Sequence, residues 1–275
     1  MKASGKVLAA VVMMGVASAQ AQEQIVLDGS TTVGPIGKAF AEFFMKNNPG
    51  VSVTVSESGS GNGAKGILNG TCHAGMMSRF MKDTEFAACA EKGVMPVAHV
   101  VALDGLPILV HPSNPVEDLT VEQIRKIYTG EIANWRELGG PNMEIVFVSR
   151  DTNSGTYETF NGLVMQKQEI AGGCEYVGSN GAVRQRVQST PAAIGYAGLG
   201  FVDETVKALK VNGITPNEGT VISGDYPIAR ALFIFTNGYP KLGSPLYKFM
   251  TIHLSPEGEE IVKSIGFVPV TQYGF

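Results

Sequence analysis

Residues 24–44 read Gln24-Ile25-Val26-Leu27-Asp28-Gly29-Ser30-Thr31-Thr32-Val33-Gly34-Pro35-Ile36-Gly37-Lys38-Ala39-Phe40-Ala41-Glu42-Phe43-Phe44, and this one stretch holds a strand, a turn and a helix. Gln24 to Leu27 is a short, mainly apolar run of strand type, and Asp28-Gly29-Ser30-Thr31-Thr32 supplies turn residues. Pro35 suits the first turn of a helix, where its missing N–H would be unpaired anyway. Ile36, Phe40, Phe43 and Phe44 then recur at helical spacing, and the helix stops near Asn47–Gly50.

The same order returns downstream. Val51, Val53 and Val55 alternate with Ser52 and Thr54 as in a strand. Ser58-Gly59-Ser60-Gly61-Asn62-Gly63 follows as a turn, and Ala64–Leu68 as a short helix. A third unit has an apolar run from Met143 to Val148, the turn Arg150-Asp151-Thr152-Asn153-Ser154-Gly155-Thr156, and a helical pattern through Phe160, Leu163 and Val164. Alternating strands and helices predict an α/β protein with largely parallel sheets, whose ligands sit at the carboxyl ends of the strands. Those ends are where the three turns lie. The sequence shows no internal repeat and no low-complexity linker, so two domains would be joined by strands.

The turns share a chemistry. A helix N-terminus leaves about four backbone N–H groups unpaired and carries roughly half a positive charge. Glycine lets an anion approach that backbone closely, and Ser or Thr adds hydroxyl donors. One such turn is what any N-cap looks like; three in one chain point to an anion site. Arg150 adds a planar fork matched to a tetrahedral oxyanion, and Arg79, after Gly75-Met76-Met77-Ser78, is placed to reach the same region. Other motifs fail on spacing. Ala64 separates Gly63 from Lys65 and no Ser or Thr follows that lysine, so a P-loop does not fit. No G-x-S-x-G elbow anchors a hydrolase triad. Acids such as Asp104, Glu117 and Asp118 read as solvated.

Composition agrees with a folded, exported binder. The chain has 275 residues, 44% of them hydrophobic and 17% charged, which is globular. A net charge of −4 argues against general nucleic-acid binding, so any bound anion must be held by local groups. Lys2 and Lys6, the apolar run Val7–Val16 and the small residues through Ala21 read as a secretory signal peptide over residues 1–21, with cleavage after Ala21 or Ala19. Its removal takes two lysines and leaves 19 − 25 = −6. Cys72, Cys89 and Cys174 leave two readings open: a Cys72–Cys89 disulfide or buried free thiols. With no CxxC and four scattered histidines, no zinc site or cofactor is expected.

Gly29-Ser30-Thr31-Thr32-Val33-Gly34-Pro35-Ile36, Ser58 to Gly63, Gly75 to Arg79 and Arg150 to Thr156 resemble, in order and spacing, the phosphate-binding proteins of bacterial high-affinity phosphate ABC importers. Asn114-Pro115 through Leu119-Thr120, Tyr128-Thr129-Gly130, Asn134-Trp135, Gly139-Gly140 and Tyr226-Pro227-Ile228-Ala229-Arg230 are similar too. The resemblance implies a type II periplasmic-binding-protein fold: two α/β lobes, residues 22–102 plus 231–275 and residues 103–230, with a ligand cleft between them. It implies phosphate held by Ser30, Thr31, Thr32, Ser60, Ser78, Arg79, Arg150, Ser154, Gly155 and Thr156. It further implies a periplasmic monomer, not an enzyme, that passes phosphate to a membrane ABC permease. The alternative is an exported phosphatase or phosphoryl-transfer enzyme built on the same cradle, with Ser30 or Ser60 as nucleophile. Some family members carry an Asp after the Gly75-type loop that accepts the proton of hydrogen phosphate. This chain has Ser78-Arg79 there, leaving Asp151 or Ser78 as the candidate acceptor.

Overall fold

The computed structural model describes residues 23–272, and the expected signal peptide lies outside them. The strands in chain order are β1 (Glu23–Gly29), β2 (Val51–Ser56), β3 (Ala74–Met77), β4 (Pro96–Gly105), β5 (Ile108–Val110), β6 (Asp118–Leu119), β7 (Val146–Arg150), β8 (Glu175–Val177), β9 (Ala193–Tyr196), β10 (Lys207–Ala208), β11 (Lys210–Val211) and β12 (Ala229–Asn237). They form two five-stranded sheets, ordered β2-β1-β3-β12-β4 and β10-β5-β9-β7-β8, beside a β11-β6 pair. The helices that matter for the site are α1 (Gly34–Asn47), α2 (Ser60–Asn69), α3 (Asp83–Glu91), α4 (Val121–Tyr128), α5 (Gly155–Leu163) and α6 (Asn180–Gln188).

The sheets are mixed rather than largely parallel. β1 pairs in parallel with β2 and β3, and β7 with β8 and β9, as strand–turn–helix units require. The exceptions have a topological cause. β4 leaves the first sheet and β12 returns to it, so they run antiparallel along Ala229↔Gly105 to Asn237↔Pro96. The crossing segments also bond to each other, Leu106 N–H donating to Ile228 O at 2.7 Å.

Each sheet has its own core. Ile25, Leu27, Ile36, Phe40, Phe44, Leu232, Ile234 and Phe249 pack on the first, with Phe43 only half-buried. Tyr128, Trp135, Phe160 and Tyr196 pack on the second, where Phe160 and Tyr196 stack at 3.9 Å. Burying each large side chain contributes about 1.5–3 kcal/mol. Trp135 and Tyr128 are structural: Trp135 Nε1 donates to Ala192 O and Tyr128 Oη to Val148 O. Cys72, Cys89 and Cys174 are free, the first two buried in one cluster, so the disulfide reading is replaced by free thiols.

Two element boundaries moved. Met143–Ile145 belongs to a turn tied to Ala133–Trp135, through Trp135 N–H to Met143 O and Ile145 N–H to Ala133 O. The strand therefore runs Val146–Arg150 and carries Arg150 itself. Helix α2 begins at Ser60, inside the stretch read as a turn. Gly63 is there for close approach: a Cβ on it would lie 2.8 Å from Met76 O and 3.1 Å from Asp28 O.

Candidate functional site

The amino ends of α1, α2 and α5 converge where the two sheets face each other. Ser30, Thr31, Gly59, Ser60 and Ser78 from the first half, and Arg150, Ser154, Gly155 and Thr156 from the second, enclose about 120 Å³ of atom-free space. That is well below the roughly 300–1,000 Å³ of sites for drug-sized ligands, so the pocket suits a small ion. Among the described residues, no carboxylate and no histidine lines it.

The pocket presents donors because of how each turn folds. Ser30 Oγ accepts the N–H groups of Thr32 and Val33 at 3.1 and 3.3 Å, capping the approach to α1. Ser154 Oγ accepts those of Thr156 and Tyr157 at 3.2 and 3.3 Å, capping α5. A hydroxyl whose two lone pairs are occupied can only donate its proton. Ser60 Oγ accepts the N–H of Ser78 at 3.1 Å and lies 3.3 Å from Ser78 Oγ, so this pair remains free to donate or accept. The backbone N–H groups of Thr31, Ser60 and Gly155 have no acceptor among the described residues. Gly59 takes φ +103°, which turns the chain into α2, and a Cβ there would lie 2.3 Å from Asn153 Nδ2.

Arg150 dominates the electrostatics. It is 1% exposed; Nε donates to Val177 O at 3.0 Å and Nη2 to Gly178 O at 2.7 Å. Its remaining nitrogen, Nη1, is buried without a partner among the described residues. Burial lowers its pKa well below the ordinary arginine value, to about 10, partly countered by Asp151, with Arg230 lowering it further. The guanidinium is still charged at neutral pH, and an anion in the pocket would meet a buried cation with an unfilled donor.

Eight of the ten residues expected from sequence line this pocket; Thr32 and Arg79 do not. Thr32, fully buried, lies behind it, its Oγ1 3.0 Å from Thr156 Oγ1. The Arg79 guanidinium turns away to Glu85, which it holds through Nη1 and Nη2 at 2.8 Å each, with Nε 3.6 Å from Glu158. Glu85 sits in the first turn of α3, and the two-pronged match outcompetes the pocket for this arginine. Asp151, a candidate acceptor of a ligand proton, does not line the pocket either; its Oδ1 caps its own loop, accepting Asn153 N–H at 2.9 Å.

Three further residues, missed in the sequence, stand behind the pocket. Asp104 is fully buried rather than solvated, and its Oδ2 accepts Arg230 Nη2 at 2.8 Å and Nε at 3.0 Å. Burial pushes the Asp104 carboxyl above its usual range, with Arg230 drawing it back. Asn180, the first residue of α6, donates from Nδ2 to Thr32 Oγ1 at 2.8 Å and Thr31 Oγ1 at 3.2 Å. The available signals were one acid inside the apolar run Val100–Leu106 and the arginine closing Tyr226–Arg230.

The halves also touch around the pocket. Asn153 Nδ2 donates to Ser58 O at 2.8 Å, Gly61 N–H donates to Asn153 O at 3.1 Å, and Lys82 pairs with Glu158.

A family profile described as a PBP superfamily domain matches residues 15–255. The phosphate-binding protein PstS of Bacillus subtilis is 34% identical over 257 residues, covering 92% of this chain and 82% of that protein. Protein SphX of Synechococcus elongatus is 33% identical over 268 residues, covering 92% and 79%. A structure described as a phosphate ABC transporter substrate-binding protein with bound phosphate, from Clostridium perfringens, superposes with a TM-score of 0.84 at 35% identity, covering 90% of this chain and 100% of that one.

Proposed function

This chain belongs to the PBP superfamily and, within it, to the phosphate-binding proteins, and from that premise we propose that it captures inorganic phosphate in the pocket between its lobes and delivers it to a membrane ABC permease. The observation that carries the reading is the unpartnered Nη1 of buried Arg150 in a pocket of hydroxyl and N–H donors without a carboxylate. The ligands would be Ser30, Thr31, Ser60, Ser78, Arg150, Ser154, Gly155 and Thr156. Arg79 and Thr32 would act from outside the pocket, Arg79 by fixing α3 and Thr32 through Thr156.

The mechanism is capture without turnover. The crossing segments near residues 105–107 and 228–229 would serve as the hinge between the lobes, residues 22–102 plus 231–275 and residues 103–230. Phosphate bound to one lobe completes its shell with groups of the other, and this differential contact shifts the equilibrium toward closure. A micromolar affinity needs about 8.2 kcal/mol, which several charge-assisted bonds of about 1.5–3 kcal/mol each supply after desolvation and association costs. The closed form, periplasmic and monomeric, would be what the permease recognises. Among the described residues, no helix is long and apolar enough to cross a membrane.

The phosphatase alternative finds no support among the relatives: PstS is named as a phosphate-binding protein and the Clostridium perfringens structure as a phosphate ABC transporter substrate-binding protein. Ser30 Oγ is occupied by two backbone donors, and among the described residues lining the pocket no carboxylate or histidine stands beside Ser60 to act as its base. The test is calorimetric titration with phosphate, arsenate and sulfate, after unfolding, dialysis and refolding to strip co-purified ligand. One-to-one phosphate binding at micromolar affinity or tighter is expected. No oxyanion binding by a refolded sample would refute the reading.

A further inference from the structure

The Tyr226–Arg230 segment ends in an arginine that touches residues of both lobes without lining the pocket. Besides its two bonds to Asp104, Arg230 donates from Nη1 to Thr156 Oγ1 at 3.0 Å and from Nη2 to Thr32 Oγ1 at 3.4 Å. Its side chain is 5% exposed and that of Asp104 0%. The pair faces across the two crossing strands, in the register Arg230↔Asp104. Asp104 Oδ1 is filled by Leu199 N–H at 2.9 Å, which leaves Oδ2 to orient the guanidinium.

Proton directions follow from counting. A threonine hydroxyl has one proton and two lone pairs, whereas an arginine N–H and an amide NH₂ only donate. Thr32 Oγ1 accepts from Asn180 Nδ2 and Arg230 Nη2, so its lone pairs are filled and its proton goes to Thr156 Oγ1, 3.0 Å away. Gly198 N–H donating to Asn180 Oδ1 at 3.4 Å keeps the amide nitrogen facing the threonines. Thr156 Oγ1 then accepts from Thr32 and from Arg230 Nη1. Its own proton has one direction left, the pocket that Thr156 lines.

We propose that Arg230 is a positioning residue for anion binding: held by Asp104 and acting with Asn180 and Thr32, it turns the Thr156 hydroxyl into an obligatory donor aimed at a ligand oxygen. The inference rests on the phosphate-binding reading. It adds to that reading a fixed hydrogen-bond direction in the closed form, where Thr32 of one lobe meets Thr156 and Arg230 of the other. The Asp104–Arg230 pair is neutral overall, so it acts on the ligand through this hydroxyl and contributes little net field.

A double-mutant cycle on phosphate affinity tests this, with folding checked by thermal unfolding. Removing Arg230 alone would strand the Asp104 carboxylate, so the perturbation is Asp104→Asn with Arg230→Met, which leaves net charge unchanged. The partner change is Thr156→Val, with Thr156→Ser as the variant that keeps the hydroxyl. With Thr156 or Ser at the position, the charge-neutral double change weakens phosphate about tenfold or more, the scale of one charge-assisted bond. In the Thr156→Val background the same change costs less than about threefold, because the hydroxyl it directs is gone. Equal fold losses in both backgrounds would overturn the proposal, since a structural role adds independently. If Asp104→Asn/Arg230→Met does not fold, Arg230→Lys replaces it. A single ammonium keeps the charge pair but cannot hold Asp104 through two nitrogens and Thr156 through a third, so the same loss and the same coupling are expected. If the unsubstituted protein binds phosphate and the cycle is additive, only the Arg230 inference falls. If the unsubstituted protein binds no phosphate, the functional reading falls first.

Discussion

Replacing Arg150 with methionine should separate affinity from stability. The side chain is 1% exposed, and burial has lowered its pKa well below the ordinary arginine value, to about 10. A base whose folded pKa is depressed opposes folding wherever it is charged, so the cost is fully present at neutral pH and disappears only above about pH 12. The shift corresponds to roughly 3 kcal/mol in the ligand-free protein. Arg150→Met relieves that cost and leaves Val177 O and Gly178 O without their donors, each a loss of about 1–3 kcal/mol. The two effects oppose, and ligand-free stability should change by less than about 3 kcal/mol. Affinity has no such offset. Two unit charges ~4 Å apart at an effective dielectric near 20 attract by about 4 kcal/mol, so phosphate should bind about 10²–10³-fold more weakly. Thermal unfolding with and without phosphate reads both effects. Phosphate at a thousand times the parent Kd stabilises the parent by about 4.1 kcal/mol, and a variant weakened a thousandfold by about 0.4 kcal/mol. Calorimetry showing phosphate within tenfold of the parent would refute Arg150 as the principal anion ligand. A ligand-free variant unfolding far below the parent would refute the burial accounting.

Other outcomes follow from the same geometry. Gly155→Ala places a Cβ 2.5 Å from Ser60 Oγ and 2.7 Å from Ser78 Oγ, so titration should show at least tenfold weaker phosphate binding while the ligand-free melting temperature stays within a few degrees. Glu158→Gln breaks the contact with Lys82 across the lobes, but these side chains are 24% and 46% exposed, so affinity should fall less than about fivefold. His253, buried beside His99, has its pKa lowered from 6.5 to about 4, chiefly by burial. It is neutral in the fold, so the stability it confers is complete above pH 6.5 and is lost as pH falls toward 4. Denaturant titrations across that window should show about 3 kcal/mol less acid sensitivity in His253→Gln, and an unchanged acid limb would contradict the assignment.

Much of this protein was legible in the order of its residues. The α/β class and the three hydroxyl- and glycine-rich turns that line the pocket follow from local rules: apolar periodicity, glycine where backbone must be approached, and hydroxyls at helix starts. Ser30, Ser154 and Thr156 were readable because capping joins groups two or three residues apart. The resemblance added the two-lobe arrangement and the ligand class. Arg79 and Arg150 looked alike in sequence, each at the end of a strand beside a glycine-bearing turn. Only packing separated them: Glu85 on α3 turns the Arg79 guanidinium away from the pocket, its buried Nε left without a hydrogen bond, whereas Arg150 lines the pocket with carbonyls for two nitrogens and none for the third. Asp104 and Arg230 are 126 residues apart in the chain, and Thr32 and Thr156 are 124 apart. Their meeting depends on two strands crossing between lobes, and no local propensity encodes which partner a distant charge will find. Sequence determined which donors exist and which turns present them; tertiary structure decided which donors remain unspent, because a hydrogen-bonding group is available to a ligand only after every nearer partner has been counted.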